Sequence, residues 1–213
     1  MRSRLLALLA LFLGAIALPP VAAAETLDEG LLDPSWFGGP VEFRTTADID
    51  YLWVKPGFTL AGRTLNLQAW DDPKFLAAKK KRDAKDSAKA SELTDLMPSR
   101  LFGGLSQSLD GVTTVSKREG DLILTGRIVD CDAGSKAAKF LIGLGAGSAG
   151  ATWDIKIVDA SSKELLLAVH HRAISVTSMS EIDDKVIKWI EKFGGVLRAG
   201  ADKAYAEGKA PTK

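Results

Sequence analysis

A glycine-rich run supplies the first residues whose types and spacing could do chemistry. Residues 145–150 have the sequence G-A-G-S-A-G, which matches the G-x-G-x-x-G pattern of dinucleotide-binding loops. In such sites the loop opens a helix, whose N-terminus meets the pyrophosphate. Here residues 152–158 alternate as a strand does, and His170 stands about 20 residues on, where the pattern expects an acidic residue. An enzyme or nucleotide binder that uses this loop is therefore kept only as an alternative.

A contact surface and a plain connection are the two other interpretations of this run. Residues 140–144 are more apolar than an exposed loop requires, which favours a surface approached by a partner chain or by lipid. The four-residue step from Gly143 to Gly147 promotes close packing only if the segment is helical. A plain connection would also use glycines, at positive φ or at close approaches. The candidate partner-contact residues are Gly143, Leu144, Gly145, Gly147 and Gly150.

The other reactive side chains point to structural roles. His170 and His171 are adjacent, so on a strand they face opposite sides and would not share a metal. Asp130 and Asp132 flank Cys131, and we expect a solvated turn there. The lone cysteine cannot form an internal disulfide, and burial is expected rather than a bond between chains. The chain has no serine-hydrolase, zinc-protease or phosphate-loop motif, so no catalytic residue, metal or cofactor is predicted.

Three predicted strands position these residues. Residues 122–129 and 152–158 alternate between apolar and polar side chains, and residues 165–175 begin with an apolar run. Asp and Ser in residues 159–164 favour a hairpin between the second and third strands. Gly126 lies inside the first strand, which requires a bulge or a close neighbour.

The second strand has one buried and one solvent-exposed face in this prediction. Trp153, Ile155 and Ile157 share the buried face. Asp154 and Lys156 alternate with them and share the exposed face. The sequence therefore predicts a sheet that is packed on one side only.

The centre of the chain resembles a known family. The run GRIVDCDAGSKAAKFLIGLGAG at residues 126–147, followed by IVDASSKEL at residues 157–165, resembles an uncharacterised bacterial envelope family, domain of unknown function 4410. The resemblance covers roughly residues 46–206. More distantly, the strand, glycine run and hairpin are similar to the periplasmic domain of the curli-secretion lipoprotein family. That likeness implies an α+β domain that works in envelope assembly.

The chain departs from these relatives at two points. Lys163 stands where the hairpin usually carries Gly, which bears on whether that turn position is left-handed. Many relatives are lipoproteins, and this chain has no lipidation cysteine near its N-terminus. The resemblance therefore implies a related fold without the lipid anchor.

Two to three helices are predicted to cover the sheet. The first begins at residues 71–73, where Asp can cap and Pro fits the first turn, and it continues to Leu96. Pro98 interrupts it before a second piece over residues 99–109. The basic run at residues 79–82 is expected to be a solvated helix face.

The last helix follows a capping box at residues 178–181. Gly194 and Gly195 are expected to kink it. Its apolar residues recur at steps of three and four, which predicts a buried face. The members of that face are Ile182, Val186, Ile190, Phe193 and Leu197.

Residues 1–24 form a predicted signal peptide. Arg2 and Arg4 precede an apolar stretch that Pro19 interrupts, and small residues at 22–24 offer a cleavage site. The apolar stretch is too short for a membrane span. We expect a mature chain that begins at Glu25.

Further segments follow in order along the mature chain. Residues 25–45 form an extended N-terminal arm, anchored by Trp36 and Phe37. Residues 46–208 form the α+β domain, and it opens with extended stretches over residues 46–55 and 58–69. Residues 209–213 are a disordered tail.

Composition limits the classes of function. The apolar fraction is 46%, which is ordinary for a globular chain. Signal cleavage removes two of the 28 basic residues, which leaves 26 against 27 acidic ones. A near-neutral chain has no global charge that attracts nucleic acid.

The sequence thus predicts one α+β domain, in which helices cover a single mixed or mainly antiparallel sheet. Its location is periplasmic or secreted, soluble and not lipidated. Its role is a non-catalytic binding or assembly module of the bacterial envelope, whose partners are other envelope proteins or a second copy of the chain. A membrane-inserting subunit is the second alternative, although no stable transmembrane helix is expected after cleavage.

Overall fold

The computed structural model describes residues 31–76, 82–134, 148–175 and 182–200, together with Lys203 and Tyr205. These residues form one six-stranded sheet and two α-helices. A short 3-10 turn, Pro34–Phe37, lies in the arm. The strands are β1 (Tyr51–Val54), β2 (Thr64–Leu67), β3 (Thr114–Ser116), β4 (Leu122–Asp132), β5 (Ala149–Asp159) and β6 (Leu165–Ser175), and the helices are α1 (Ala84–Ser108) and α2 (Ile182–Ala199).

The three longest strands, β4, β5 and β6, have 11 residues each and lie side by side. The order across the sheet is β1-β6-β5-β4-β2-β3. β2 runs parallel to β3 and to β4, whereas the other neighbouring pairs are antiparallel. The mixed sheet of an α+β fold, predicted from the sequence, is therefore confirmed.

Both helices pack on one face of this sheet and enclose the main core. Trp153 of β5 is fully buried there, together with Leu101 of α1. On α2, Ile190 is 2% and Phe193 0% exposed. The predicted burial of these two α2 side chains is confirmed, because the three- and four-residue spacing places them on one helix face.

A close neighbour accounts for the glycine inside β4. A Cβ on Gly126 would lie 2.5 Å from Cε2 of Trp70 and 2.8 Å from the carbonyl oxygen of Asp154. The register of β4 also shifts between Ile128 and Asp130, as a bulge does. Of the two alternatives that the sequence left open for Gly126, the close neighbour is the one observed, since the register shift lies further along the strand.

The first helix begins later than the sequence predicted. α1 starts at Ala84, where the Asp83 side chain accepts from the backbone N–H of Asp86 and the Asp86 side chain accepts in return. Residues 71–76 are extended instead, and their N–H groups donate to carbonyls of β4. The helix start at residues 71–73 was wrong because the open edge of β4 supplies acceptors there. Pro73 fits this extended stretch as well as it fits a first helical turn.

Neither helix is broken where the sequence predicted a break. α1 continues through Pro98, and α2 continues through Gly194 and Gly195. A Cβ on Gly194 would lie 2.5 Å from Cβ of Ser108, so this glycine permits the close approach of α2 to α1. The predicted break at Pro98 was therefore wrong, whereas the kink predicted at Gly194 and Gly195 stays a prediction.

The turns near the predicted strands also differ in part. The Thr46 hydroxyl accepts from the N–H of Ile49 at 2.8 Å, so the strand predicted over residues 46–55 is reduced to Tyr51–Val54. The stretch predicted over residues 58–69 is reduced to Thr64–Leu67, and Gly62 bends the chain before it at φ 72°. Lys163 has φ 61°, so the hairpin keeps a left-handed residue although it lacks Gly there.

Several predicted segments lie outside the described residues. They are the signal peptide at 1–24, the capping box at 178–181 and the tail at 209–213. Among the residues that the structure does describe, no helix combines the length and the apolar composition that crossing a membrane requires.

Candidate functional site

The predicted partner-contact residues belong to the connection between β4 and β5 and to the start of β5. Gly143, Leu144, Gly145 and Gly147 lie outside the described residues. Gly150 is described and pairs with Asp132 of β4 and with Ile174 of β6. A Cβ at this position would lie 3.4 Å from the carbonyl oxygen of Ala173, which is an ordinary contact distance, so Gly150 has room for a small side chain.

A small cleft lies beside Gly150, at this end of the sheet. Its volume is about 100 Å³, and its walls include Thr152 and Arg172. Ile174, next to Gly150, is a large apolar side chain that is 41% exposed. The end of the sheet thus combines a small residue, an exposed apolar side chain and charged walls.

Arg82 closes one side of this cleft. Its Nε donates to Oδ1 of Asp130 at 2.7 Å, and its Nη1 donates to Oδ2 of Asp132 at 3.2 Å. The hydrogen bond that Arg82 donates to Asp130, together with the charges of Asp130 and Asp132, raises the pKa of Arg82 against the opposing effect of burial. The solvated turn predicted for the two aspartates was therefore wrong, and so was the solvated face predicted for this arginine. Their opposite charges bind β4 to the start of α1.

Cys131 lies between these aspartates but faces the core. Its side chain is fully buried and unpaired. Burial, followed by the charge of Asp86, raises the pKa of the thiol to about 12. The predicted burial is confirmed, and the cysteine stays a protonated thiol that is a poor nucleophile.

A second cluster of charges lies on the sheet face opposite the helices. Arg127, Asp154 and His170 are directly paired across β4, β5 and β6. The carboxylate of Asp154 accepts from Nε of Arg127 at 2.9 Å and lies 2.7 Å from Nδ1 of His170. All three residues are at most 2% exposed. Charges buried to this degree persist in proteins when they are paired, as they are here.

The arm covers this cluster. Oδ2 of Asp33 accepts from Nη1 of Arg127 at 3.3 Å. The Trp36 carbonyl accepts from Nζ of Lys156 at 2.8 Å. The indole Nε1 of Trp36 donates to Oδ2 of Asp71 at 2.7 Å. The Lys156 ammonium lies 4.1 Å, and the Arg127 guanidinium 4.7 Å, from the centre of the Trp36 ring. The arm thus presents a carboxylate and an aromatic ring to two cations.

The solvent-exposed face predicted for β5 was therefore wrong at Asp154. Alternation shows which side chains share a face, but it does not show whether another segment covers that face. The sequence did predict an arm anchored by Trp36 and Phe37. The pair of cations on the same face as this aspartate, Arg127 and Lys156, is the signal that could have indicated that the arm covers this face.

The two histidines lie on opposite faces, as the sequence predicted. His171 stacks on Trp189 in the core, with ring centres 5.1 Å apart, and its Nδ1 lies 3.0 Å from Oδ2 of Asp50. Burial opposes ionisation of Asp50, but the hydrogen bond and charge of His171 outweigh it and lower the pKa of that carboxyl. Within the described part of the chain, no three His, Cys, Asp or Glu side chains are grouped so that they could hold a metal ion.

Residues 57–178 match the family model described as Domain of unknown function (DUF4410). The chain belongs to this family. The matched DUF4410 region contains Arg127, Asp154 and Gly150, whereas the arm precedes it. No curated protein sequence matches the chain.

Solved structures with similar folds are distant from this DUF4410 protein. PelC from Paraburkholderia phytofirmans, solved as a dodecamer, shares 11% identity over 66% of this chain and 92% of its own, with a TM-score of 0.44. A DUF330 protein from Xanthomonas campestris shares 10% identity over 70% of this chain and 93% of its own, with a TM-score of 0.43. These scores are too low to support an argument about function.

Proposed function

We propose that this DUF4410 protein is exported and acts as a non-catalytic binding or assembly module of the bacterial envelope. The observation that carries the proposal is the exposed Ile174 beside Gly150, at the end of the sheet where the glycine-rich run begins and ends. The proposed surface consists of this end of the sheet together with the run. The proposed partner is another envelope protein or a second copy of the chain.

The order of the strands supports this surface. β4 ends at Asp132 and β5 begins at Ala149, so the connection between them leaves and re-enters the sheet at one end. β6 also ends there, at Ser175. In sequence, residues 140–144 of the connection are F-L-I-G-L. The apolar sequence of this connection, together with the exposed Ile174 and the charged side chains beside it, supports a protein contact surface.

The state of the reactive side chains supports binding rather than catalysis. Arg82 engages Asp130 and Asp132, and the Cys131 thiol is buried. His170 is buried against Asp154. Each of these described side chains is thus either bound to another side chain of the protein or buried in the core.

Two exposed isoleucines provide a matched test of the surface. We expect Ile174→Ser to weaken association with a partner or a second copy about tenfold or more, with the melting temperature unchanged. Ile187→Ser on α2 is the control, because Ile187 is 46% exposed but does not line the cleft at Gly150. Self-association is measured by analytical ultracentrifugation, and partner capture is measured from envelope extracts with the mature chain.

The glycines of the run are tested in the same assays. Single changes to Ala at Gly143, Gly145, Gly147 and Gly150 are scored for melting temperature and for association. If association is always lost in proportion to stability, the run is only a connection and the surface proposal fails. Saturable binding of a dinucleotide that Gly145→Val abolishes would support the nucleotide-binding alternative instead.

Export is tested on the N-terminus of the protein extracted from cells. The basic start and the small residues at 22–24 predict a mature chain that begins at Glu25 without an acyl group. Intact-mass spectrometry measures both. A retained leader or an added acyl mass contradicts this part of the proposal.

A further inference from the structure

The sheet face beneath the arm is charged, and three of its side chains pair with one another. Arg127 is bound by Asp154, and Asp154 also contacts His170. All three residues belong to the sheet, so these contacts persist if the arm leaves. A face that is always buried is stabilised more by well-packed apolar side chains than by ion pairs. The charges on this face therefore suit a surface that is also stable when water or a ligand covers it.

The arm is attached to the sheet by few apolar contacts. In the part of the arm that the structure describes, the buried apolar residues are Leu31 and Phe37, at 5% and 4% exposure, and neither belongs to the main core between sheet and helices. Pro34, Ser35 and Gly38 are exposed. A segment with so little share in the core opens locally, without unfolding of the whole domain.

Lys156 shows what the arm does to the surface beneath it. Burial lowers the pKa of Lys156, because the arm replaces much of the water around its ammonium group. In place of that water, the ammonium has the Trp36 carbonyl and ring. Release of the arm leaves Lys156 open to another aromatic ring and another acceptor.

The chemistry of the arm defines the ligand. Asp33 caps the 3-10 turn by accepting from the N–H of Ser35 at 3.1 Å, and this turn brings its carboxylate and the Trp36 ring to the same side. The carboxylate meets Arg127, and the indole N–H meets Asp71.

We propose that the outer face of the sheet is a peptide-binding strip, formed by Arg127, Lys156 and Asp71, and that the arm is its intramolecular ligand. The external ligand is a protein segment with the same chemistry, a carboxylate three residues ahead of a tryptophan. The arm must open before this segment binds, so the arm limits access to the strip. This strip is separate from the end of the sheet at Gly150 and does not depend on the function proposed for that end.

A labelled peptide with the sequence of residues 31–43 tests the strip. Its binding to the mature chain is measured by fluorescence anisotropy. We expect the chain variant Trp36→Ala to bind the peptide at least tenfold more tightly than the unchanged chain, because its own arm competes less well. Asp33→Asn in the chain, which keeps the ring, is a second arm variant with a smaller gain.

Matched variants identify the contacts. Adding Lys156→Gln to the Trp36→Ala chain is expected to abolish the gain, whereas adding Lys188→Gln, a change at an exposed lysine of α2, leaves it. Peptides that carry Asp33→Asn or Trp36→Ala are expected to bind at least tenfold more weakly.

Two results overturn the proposal. The first is equal peptide affinity of the unchanged and Trp36→Ala chains, each shown to be folded by circular dichroism. The second is hydrogen exchange in residues 31–44 as slow as in β5, because the arm then opens only when the whole domain unfolds.

Discussion

Gly126 lies at a point of β4 where a side chain does not fit. A Cβ there meets the Trp70 ring at 2.5 Å and a backbone oxygen at 2.8 Å, and neither is the end of a flexible side chain. We expect Gly126→Ala to lower the free energy of unfolding by about 1–3 kcal/mol, measured by urea denaturation. Gly103→Ala is the control, because nothing lies within 4 Å of its Cβ position on α1. It is expected to raise stability by about 0.5–1 kcal/mol.

Asp33 makes the attachment of the arm dependent on pH. The hydrogen bond from Ser35 and the contact with Arg127 lower the pKa of this carboxyl to about 2, and Lys74 lies nearby. A carboxyl with a lowered pKa stabilises the folded state above its unfolded pKa of about 3.9 and loses that effect as the pH falls through the folded value. The stabilisation is therefore complete near neutral pH and disappears between about pH 4 and pH 2.

Hydrogen exchange in the arm measures this effect. We expect the protection of residues 31–44 to fall between about pH 4 and pH 2 in the unchanged chain, after correction for intrinsic exchange. In Asp33→Asn the protection should be low at both pH values. The same acid-dependent fall in that variant would show that another group controls the arm.

Single residues differ in how well their positions follow from sequence. The burial of Cys131 was predictable, because a lone thiol in such a chain has little use at the surface. The burial of Asp154 was not, because it depends on an arm that is about 120 residues away in the sequence and forms no regular strand. The salt bridges of Arg82 were missed for the same reason, since its partners lie 48 and 50 positions away.

At the scale of elements, the helix α1 contains a residue that weakens it. Pro98 has no N–H to donate to the Thr94 carbonyl, four residues before it. We expect Pro98→Ala to raise the free energy of unfolding by about 1–3 kcal/mol, because the change restores this hydrogen bond.

Pro56→Ala is the matched control for this change. Pro56 precedes Gly57 in a turn closed by the N–H of Phe58 and the carbonyl of Lys55, and Gly57 has φ 77°. Proline suits that turn position, so its loss should lower stability by about 0.4–1 kcal/mol. Thermal melts of both variants show whether each change raises or lowers stability. A loss of stability in Pro98→Ala would mean that the proline ring fills space that alanine leaves empty.

Elements with strong periodicity were predicted well, and those fixed by neighbours were not. β4, β5 and β6 follow from alternating side chains, and the buried face of α2 follows from its three- and four-residue steps. The start of α1 does not follow from the sequence, because N–H groups of residues 71–76 donate to carbonyls of β4, and no local pattern reveals those bonds. Propensity rules likewise place a break at Pro98, whereas packing against α2 keeps α1 continuous.

At the scale of the whole molecule, the sheet separates two layers of unequal strength. On one face, both helices share a core that includes Trp153 and Phe193. On the other face, the arm adds Leu31 and Phe37, a few ion pairs and one tryptophan ring. The sequence predicted both coverings but not their difference, because that difference depends on how many arm side chains reach the core.

This difference between the two layers predicts that a substitution in one layer leaves the stability of the other unchanged. Phe193→Ala should lower the global free energy of unfolding by about 3–5 kcal/mol, because Phe193 is fully buried and stacks on Trp189. It should leave the local exchange of residues 31–44 unchanged, whereas Trp36→Ala should speed that exchange and change global stability little. The change in the double variant should equal the sum of the changes in the single variants within about 0.5 kcal/mol, since among the described residues the two side chains share no ring or hydrogen-bond partner.

Hydrogen exchange followed by mass spectrometry measures the opening of the arm in each variant, and urea denaturation measures the global free energy of unfolding. A change of under about 0.5 kcal/mol for Phe193→Ala would place that helix face outside the core. Faster arm exchange in Phe193→Ala would show that the arm and the core open as one unit. Independence of the two is what a releasable arm requires, because only then does the strip become accessible while the sheet that carries it stays folded.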